Sequence, residues 1–185
     1  TIDKEVIQAM KDAGCKKIAF GVESGSQRIL TNIKKGISIN QIKNVFKYSK
    51  EVGIDTTAFF IIGSHPDETL EDIELTKKLI AEIKPDYLNV SVVVPYPGTE
   101  LRKQMEERKL VYSNDWRLYA IFDTIPRWRT THFSAKELIK IQKVILKSFY
   151  LRPSYMFRRI LKIKSLKEIK YWINAFLGFA GTFLK

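Results

Sequence analysis

The sequence has little of the chemistry that disulfides and metal sites require. It contains one cysteine, Cys15, and two histidines, His65 and His132, among 185 residues. A single cysteine excludes an intramolecular disulfide and favours a cytosolic setting. It also excludes an iron–sulfur cluster or a structural zinc held by this chain's thiolates alone, and the histidines lack metal-ligand spacing. We therefore expect no metal ligands in this chain.

Acidic residues are outnumbered. The sequence has 20 aspartates and glutamates against 32 lysines and arginines, a formal net charge of +12. Such an excess favours an anionic partner, which could be nucleic acid, an acidic membrane surface or an acidic protein. The lysines lie on many segments rather than in one run, so the alternative is a basic, solvated surface without a specific partner.

The sequence also lacks a long apolar run. Residues 171–184 are largely apolar, but a transmembrane helix needs roughly 20 such residues. A last helix over 166–184, with lysines near its start, fits two interpretations. One is peripheral membrane contact through 166–185, and the other is packing against the rest of a larger protein. We expect a cytoplasmic protein. Under the first interpretation it would also be associated with a membrane.

A signal peptide and an initiator methionine are absent as well. The chain begins inside a helical pattern, with apolar residues at Ile2, Val6, Ile7 and Met10. On this ground we expect the chain to be a piece of a longer protein.

What the sequence does contain is a regular alternation of helices and strands. Helical spacing of apolar residues ends at Gly14, Gly36, Gly53, Pro85 and about Lys109. Between these helices lie short apolar runs that predict buried strands at Ile18–Val22, Ile54–Ile62 and Tyr87–Val94. Alternating strands and helices predict parallel pairing with right-handed crossovers. Three strands are too few for a closed barrel, so we predict an α/β half-barrel with one bare sheet edge.

The pattern changes after Leu110. Residues 112–131 are loop-rich and aromatic, and helices are predicted after Ser134, over 154–162 and over 166–184. We therefore predict two domains, a half-barrel over 1–110 and an aromatic loop with an all-helical extension over 111–185. The aromatic side chains Trp116, Tyr119 and Trp128 have two interpretations, substrate contact and core packing, of which core packing is favoured.

The first strand ends at a carboxylate. Glu23 follows the run Lys17–Val22 and precedes the flexible tip Ser24-Gly25-Ser26. In parallel α/β folds the carboxyl ends of strands carry ligand sites. Glu23 is thus a candidate ligand-binding residue, and the alternative is a glutamate that caps the next helix or is held by a backbone amide.

Four motifs in order resemble a known family. GVESGSQRIL followed by KKG, then FFIIG with ET and an acidic helix start, then VPYPGTEL, is similar to the second half of a radical S-adenosylmethionine (radical SAM) domain. PYPGTEL and the tail FYLRPSYMFRRI resemble the cobalamin-binding class, which includes methyltransferases and the anaerobic porphyrin-ring cyclase.

The resemblance implies a cofactor set and a reaction. Such proteins hold a partial (βα)6 barrel, in which a CxxxCxxC loop binds a 4Fe–4S cluster that reductively cleaves S-adenosylmethionine to a 5′-deoxyadenosyl radical. This chain has no CxxxCxxC motif. By itself it is therefore expected to be inactive and to bind no cluster, with the cluster and, in this class, cobalamin held by a missing amino-terminal part.

The resemblance also implies roles for individual residues. Glu23 would contact the ribose or the methionine amino group of S-adenosylmethionine, assisted by Ser24. Ile61 would pack on the adenine with the Gly63 backbone close by, and Val93, Val94 and Tyr96 would complete the adenine wall. The loop Gly63–Thr69 is one residue longer than the usual GxPxET spacing, which affects the contact expected of Gly63.

The resemblance also implies binding partners. We expect a small-molecule or lipid-like substrate and the amino-terminal half of the same protein, and we do not expect nucleic acid. Two alternatives stay open: a tRNA methylthiotransferase-like radical SAM protein, whose GVQSGS strand is close to GVESGS, and a non-catalytic basic module that docks on a membrane or a partner.

Overall fold

The computed structural model describes residues 2–119 and 125–161, together with Asn174 and Gly178. The chain divides into two compact units, residues 1–142 and residues 143–185. The domain boundary predicted after residue 110 stays a prediction.

Helices and strands alternate in the order that the sequence predicts. The elements are α1 (Lys4–Asp12), β1 (Lys17–Glu23), α2 (Gln27–Asn32), α3 (Ile39–Glu51), β2 (Asp55–Ile62), α4 (Leu70–Ile83), β3 (Tyr87–Val92), α5 (Glu100–Glu107), a single 3-10 turn (Trp116–Leu118), α6 (Ala135–Tyr150) and α7 (Pro153–Leu161).

The three strands form one parallel sheet in the order β1-β2-β3. Gly21 of β1 pairs with Phe59 of β2, and Phe59 in turn pairs with Asn89 of β3. Within the described residues, β1 pairs with no strand on its outer side. This confirms the α/β half-barrel prediction with three parallel strands and a bare sheet edge.

The two faces of the sheet differ in burial. On one face the alternate residues of β2, such as Ala58 and Phe60, are buried, and α3 packs against this strand. On the other face, which we call the open face, Gly21 and Phe59 are exposed and Ile61 is half-buried. Parallel sheets are normally covered on both faces, so the open face is where a ligand or further structure would be expected.

The aromatic segment after α5 packs as core. Tyr119 and Trp128 are buried in a cluster with Met105 and Leu110, and their rings stack with centroids 5.1 Å apart. Trp116 is exposed and lies over the Arg102 guanidinium at 4.9 Å. Core packing is therefore the correct interpretation for Tyr119 and Trp128, and only Trp116 retains an accessible ring.

The carboxyl-terminal part is described as far as α7, which lies close to the short helix predicted over 154–162. The predicted helix over 166–184, and the membrane contact proposed for 166–185, fall outside the described residues apart from Asn174 and Gly178. In the part of the chain that the structure describes, no helix combines the length and apolar character needed to cross a membrane.

Candidate functional site

The candidate site lies at the carboxyl ends of the three strands, with the loops 24–26, 63–69 and 93–99 that follow them. We call this region the rim. At its first strand a β-bulge shifts the register between Gly21 and Glu23, and Glu23 adopts a positive φ of 68°. Non-glycine residues rarely adopt such a conformation, and it is enriched at binding sites.

The bulge turns the Glu23 side chain back over Gly21. A Cβ added at Gly21 would lie 2.7 Å from Glu23 Oε1, which is too close for a real carbon atom. Gly21 therefore provides the space that the carboxylate occupies. Because Gly21 pairs with Phe59 on the open face, the carboxylate lies on that face rather than among the helices.

Lys35 forms an ion pair with this carboxylate. Lys35 Nζ lies 2.8 Å from Glu23 Oε1, and the two side chains are 32% and 17% exposed. The chain returns to the rim because α2 is short and is followed by two residues of positive φ, Lys34 and Gly36. Lys35 belongs to the KKG motif but was not predicted as a site residue, and the position of this motif just after a short helix was the signal in the sequence that could have identified it.

Ser24 does not reach the rim surface. It is completely buried, where its hydroxyl accepts a hydrogen bond from the Ser26 amide at 3.1 Å and lies 3.4 Å from Thr76 Oγ1. The neighbouring Gly25 amide donates to the same Thr76 oxygen at 2.8 Å. Ser24 and Gly25 therefore anchor the loop after β1 to α4.

Asp72 connects the loop after β1 to the first turn of α4. Its carboxylate accepts from the Ser26 hydroxyl at 2.6 Å, from both the amide and hydroxyl of Thr69 at 2.8 Å, and from Arg28. Burial alone would raise the pKa of Asp72, but these hydrogen bonds outweigh it and lower the pKa to about 2. Asp72 is thus a charged anchor beneath the rim.

The residues predicted for an adenine wall lie at the ends of β2 and β3. Ile61 pairs with Ser91 and is half-buried on the open face. The Val93 amide donates to Ile62 O at 2.9 Å, and Val93 Cγ1 lies 3.5 Å from the position of a Cβ at Gly63. Ile61, Gly63 and Val93 are therefore neighbours, whereas Tyr96 is exposed on the following turn.

Glu68 is the buried acid of the loop after β2, and sequence reasoning assigned it no role. It is completely buried, and one carboxyl oxygen accepts from the Gly63 amide at 2.5 Å. Among the residues that the structure describes, the other oxygen has no hydrogen-bond partner. Burial is the main reason that the pKa of Glu68 is raised to about 7, although the Gly63 amide opposes it. No periodic pattern in the sequence signals a buried charge in a loop.

The loop Gly63–Thr69 contains a turn closed by the Glu68 amide, which donates to His65 O at 3.1 Å. The Gly63 amide is bonded to Glu68, so this amide is not free to donate to a ligand.

Comparison with known proteins gives a match to one family. Residues 1–80 match the model of the radical SAM superfamily. This part of the chain is therefore similar to a radical SAM domain.

Similar proteins include an uncharacterized methyltransferase of Pyrococcus horikoshii, 36% identical over 162 residues that cover 88% of this chain and 35% of the relative. A protein named as a methylthiotransferase in Methanocaldococcus jannaschii is 35% identical over 100 residues, 54% of this chain and 22% of the relative. The hopanoid C-3 methylase of Methylococcus capsulatus is 32% identical over 147 residues, 78% and 27%. The chain therefore spans about a third or less of the length of these relatives.

The radical SAM family implies S-adenosylmethionine and a 4Fe–4S cluster. The cluster does not fit this chain, because it needs several thiolates and Cys15 is the single cysteine. Cys15 lies before β1, where its Sγ contacts Lys17 O at 3.5 Å, at the opposite end of the strand from the rim. Within the described residues, no three His, Cys, Asp or Glu side chains converge on a possible metal position.

S-adenosylmethionine does fit the residues at the rim. The space above Gly21 holds a carboxylate and an ammonium group side by side, both partly accessible. The half-buried Ile61 offers an apolar surface on the same face. The rim thus combines paired charges with an apolar contact, as a ligand with an amino-acid group and a flat base requires.

Proposed function

We propose that this chain forms part of the S-adenosylmethionine pocket of a longer radical SAM enzyme that cleaves this cofactor reductively. The observation that carries the proposal is the ion pair between Glu23 and Lys35, held over Gly21 on the open face. When bound by the rest of such an enzyme, the 4Fe–4S cluster supplies the electron for the cleavage.

The paired charges match the methionine end of the ligand. Its α-amino group is a cation and its α-carboxylate an anion, so a carboxylate and an ammonium group set 2.8 Å apart can bind both. Glu23 would accept from the amino group or from a ribose hydroxyl, and Lys35 would donate to the carboxylate. Glu23 and Lys35 are each other's counterions before the ligand binds. When they pair with the ligand's two charges instead, no charge in the pocket is left unpaired.

The adenine end would lie against β2 and β3. Ile61 offers an aliphatic surface on the open face, Val93 borders Gly63, and the Gly63 carbonyl is a backbone acceptor. Ser24 acts indirectly in this proposal, because it is buried and fixes the loop after Glu23. Tyr96 would contribute from the exposed turn after β3.

We extend the proposal to a cobalamin-dependent enzyme that transfers methyl groups to a small-molecule or lipid-like substrate in the cytoplasm. Two relatives named as methylating enzymes support it, one of which is named for a hopanoid. The motifs PYPGTEL and FYLRPSYMFRRI, which resemble the cobalamin-binding class, support it as well. The corrinoid and the cluster would be bound by the amino-terminal part of the longer protein.

The test uses the longer gene product, reconstituted anaerobically with iron and sulfide. We expect reductive cleavage of S-adenosylmethionine to 5′-deoxyadenosine, or methyl transfer that yields S-adenosylhomocysteine. Glu23→Gln and Lys35→Met should each raise the KM for S-adenosylmethionine at least about tenfold, because each removes a charge-assisted hydrogen bond.

The matched control is Lys34→Met, which removes the adjacent, exposed lysine but leaves the ion pair intact. Its KM should stay at the wild-type value. Absence of cofactor cleavage, or equal KM values for Glu23→Gln, Lys35→Met and Lys34→Met, would contradict the proposal.

A second candidate is transfer of a methylthio group to tRNA, which is favoured by the relative named as a methylthiotransferase and by the charge of +12. Protein–RNA affinity that depends on phosphate contacts falls steeply with salt. A salt-dependent shift of tRNA in a gel assay would support this candidate, and absence of binding at low salt would exclude it.

A further inference from the structure

Helix α7 turns an apolar surface towards solvent. Met156, Phe157, Ile160 and Leu161 are between 42% and 68% exposed. At about 100° per residue these four positions cover about 140° of the helix circumference. The opposite side of α7 carries Tyr155, which is buried.

Aromatic contacts fix which side of α7 is inward. The ring of Tyr155 lies 4.8 Å from Phe149 and 5.4 Å from Tyr150, both in the last turn of α6. The exposed stripe therefore results from the way α7 is docked within its own compact unit. Soluble helices normally bury their apolar stripe, and a contiguous exposed one marks an interaction surface.

The charge around this stripe indicates the kind of surface it meets. Residues 143–170 contain nine lysines and arginines and a single acidic residue, Glu168. Among the described positions 143–161 there is no aspartate or glutamate. Arg158 borders the stripe and is half-buried, and its Nε donates a hydrogen bond to the Ser154 carbonyl at 3.3 Å.

We propose that α7 binds the surface of an anionic lipid bilayer, lying in the interfacial plane with Met156, Phe157, Ile160 and Leu161 inserted among the lipids. An exposed apolar stripe combined with a strongly basic surrounding sequence is what such helices require. An acidic protein would match the charge alone, and a second copy of this chain would bring like charges together. This inference is independent of the radical SAM chemistry and concerns a segment that the rim does not use.

The test is co-sedimentation of the longer gene product with two kinds of vesicle, phosphatidylcholine alone and phosphatidylcholine mixed with phosphatidylserine. The protein should sediment with the mixed vesicles and much less with the neutral ones. Binding should weaken as salt is raised, because salt screens the attraction between the cations and the lipid headgroups.

Two variants test the stripe itself. Leu161→Glu and the double variant Phe157→Glu/Leu161→Glu should weaken binding to the mixed vesicles, the double variant at least about tenfold. The matched control is Leu70→Glu, since Leu70 is 61% exposed at the start of α4 in the other unit. Leu70→Glu should bind as the wild type does. All variants should have the thermal midpoint of the wild type, because each replaced side chain is on the surface.

Three outcomes would overturn the proposal. The first is equal sedimentation with neutral and anionic vesicles at every salt concentration. The second is unchanged binding by the double variant when its thermal midpoint is that of the wild type. The third is self-association of the wild type that the double variant abolishes, with no vesicle binding by either, which would assign the stripe to a second copy.

Discussion

At the scale of single residues, the buried acids beneath the rim show opposite behaviour for one reason, the supply of hydrogen-bond donors. Asp72 accepts from Ser26, Thr69 and Arg28, and its pKa falls to about 2. Glu68 is buried and, within the described part of the chain, accepts from the Gly63 amide alone, and its pKa rises to about 7. Two carboxyl groups four residues apart therefore respond to different ranges of pH.

Glu68 should make the chain less stable as pH rises. Its pKa is about 7 in the folded chain and 4.5 ordinarily, so between these values the folded state binds more protons than the unfolded state, and the free energy of unfolding falls with pH. Glu68→Gln removes this dependence. Relative to wild type, the variant should gain roughly 2–3 kcal/mol between pH 5 and pH 8, measured by urea unfolding. A constant difference across this range would mean that Glu68 does not titrate there.

Asp72 should have the opposite effect at acid pH. Its folded pKa of about 2 lies below the ordinary 3.8, so its contribution is complete above about pH 4 and is lost as pH falls through 2. Asp72→Asn should lower the free energy of unfolding by about 3 kcal/mol at pH 7, and the difference should shrink towards pH 2. Glu74→Gln, on the exposed side of the same helix, should change it by less than about 0.5 kcal/mol.

At the scale of elements, the loop after β1 lies unusually close to α4. A Cβ added at Gly25 would lie 2.4 Å from Thr76 Cα and 2.5 Å from the Leu75 carbonyl oxygen. Both are backbone atoms of a helix, so they cannot rotate away as a side chain would. The close approach is what allows the Gly25 amide to bond Thr76 Oγ1.

Gly25→Ala should therefore displace α4 from the loop and lower the free energy of unfolding by about 3 kcal/mol, measured by chemical denaturation. The control is Gly14→Ala, where φ is +91° but no atom lies within 4 Å of the added Cβ. That variant tests backbone strain without a clash and should cost about 1 kcal/mol. Because Gly25 has no positive φ, its loss comes from the contact alone, and a loss no larger than that of Gly14→Ala would show that α4 moves aside at little cost.

Most elements could be predicted from sequence because their signals are local. Strand β2 is a β-branched and aromatic run, and the start of α4 is marked by the capping box of Thr69 and Asp72, which lie three residues apart. The β-bulge at Glu23 could not be predicted this way, because it depends on pairing with β2. Lys35 was missed for a related reason: its return to Glu23 depends on the turn through Lys34 and Gly36.

At the scale of the whole molecule, the likeness to the radical SAM family and the parallel sheet could be predicted, since motif order carries the first and helix–strand alternation the second. Burial in the loops could not be predicted in the same way. Glu68 is a charged residue in a polar stretch, yet it is completely buried, and Ser24 is buried because the loop beside it contacts α4. Both depend on contacts between segments about 40 to 50 residues apart or on loop closure, neither of which leaves a local pattern.

The pairing of β1 has a consequence for the rim. In the described part of the chain β1 is bonded to a strand on one side only, whereas β2 is bonded on both. Glu23 is thus carried by a strand whose outer edge is open within these residues. If the rest of a longer protein supplied a strand there, affinity for the ligand would also report whether that neighbouring strand is in place.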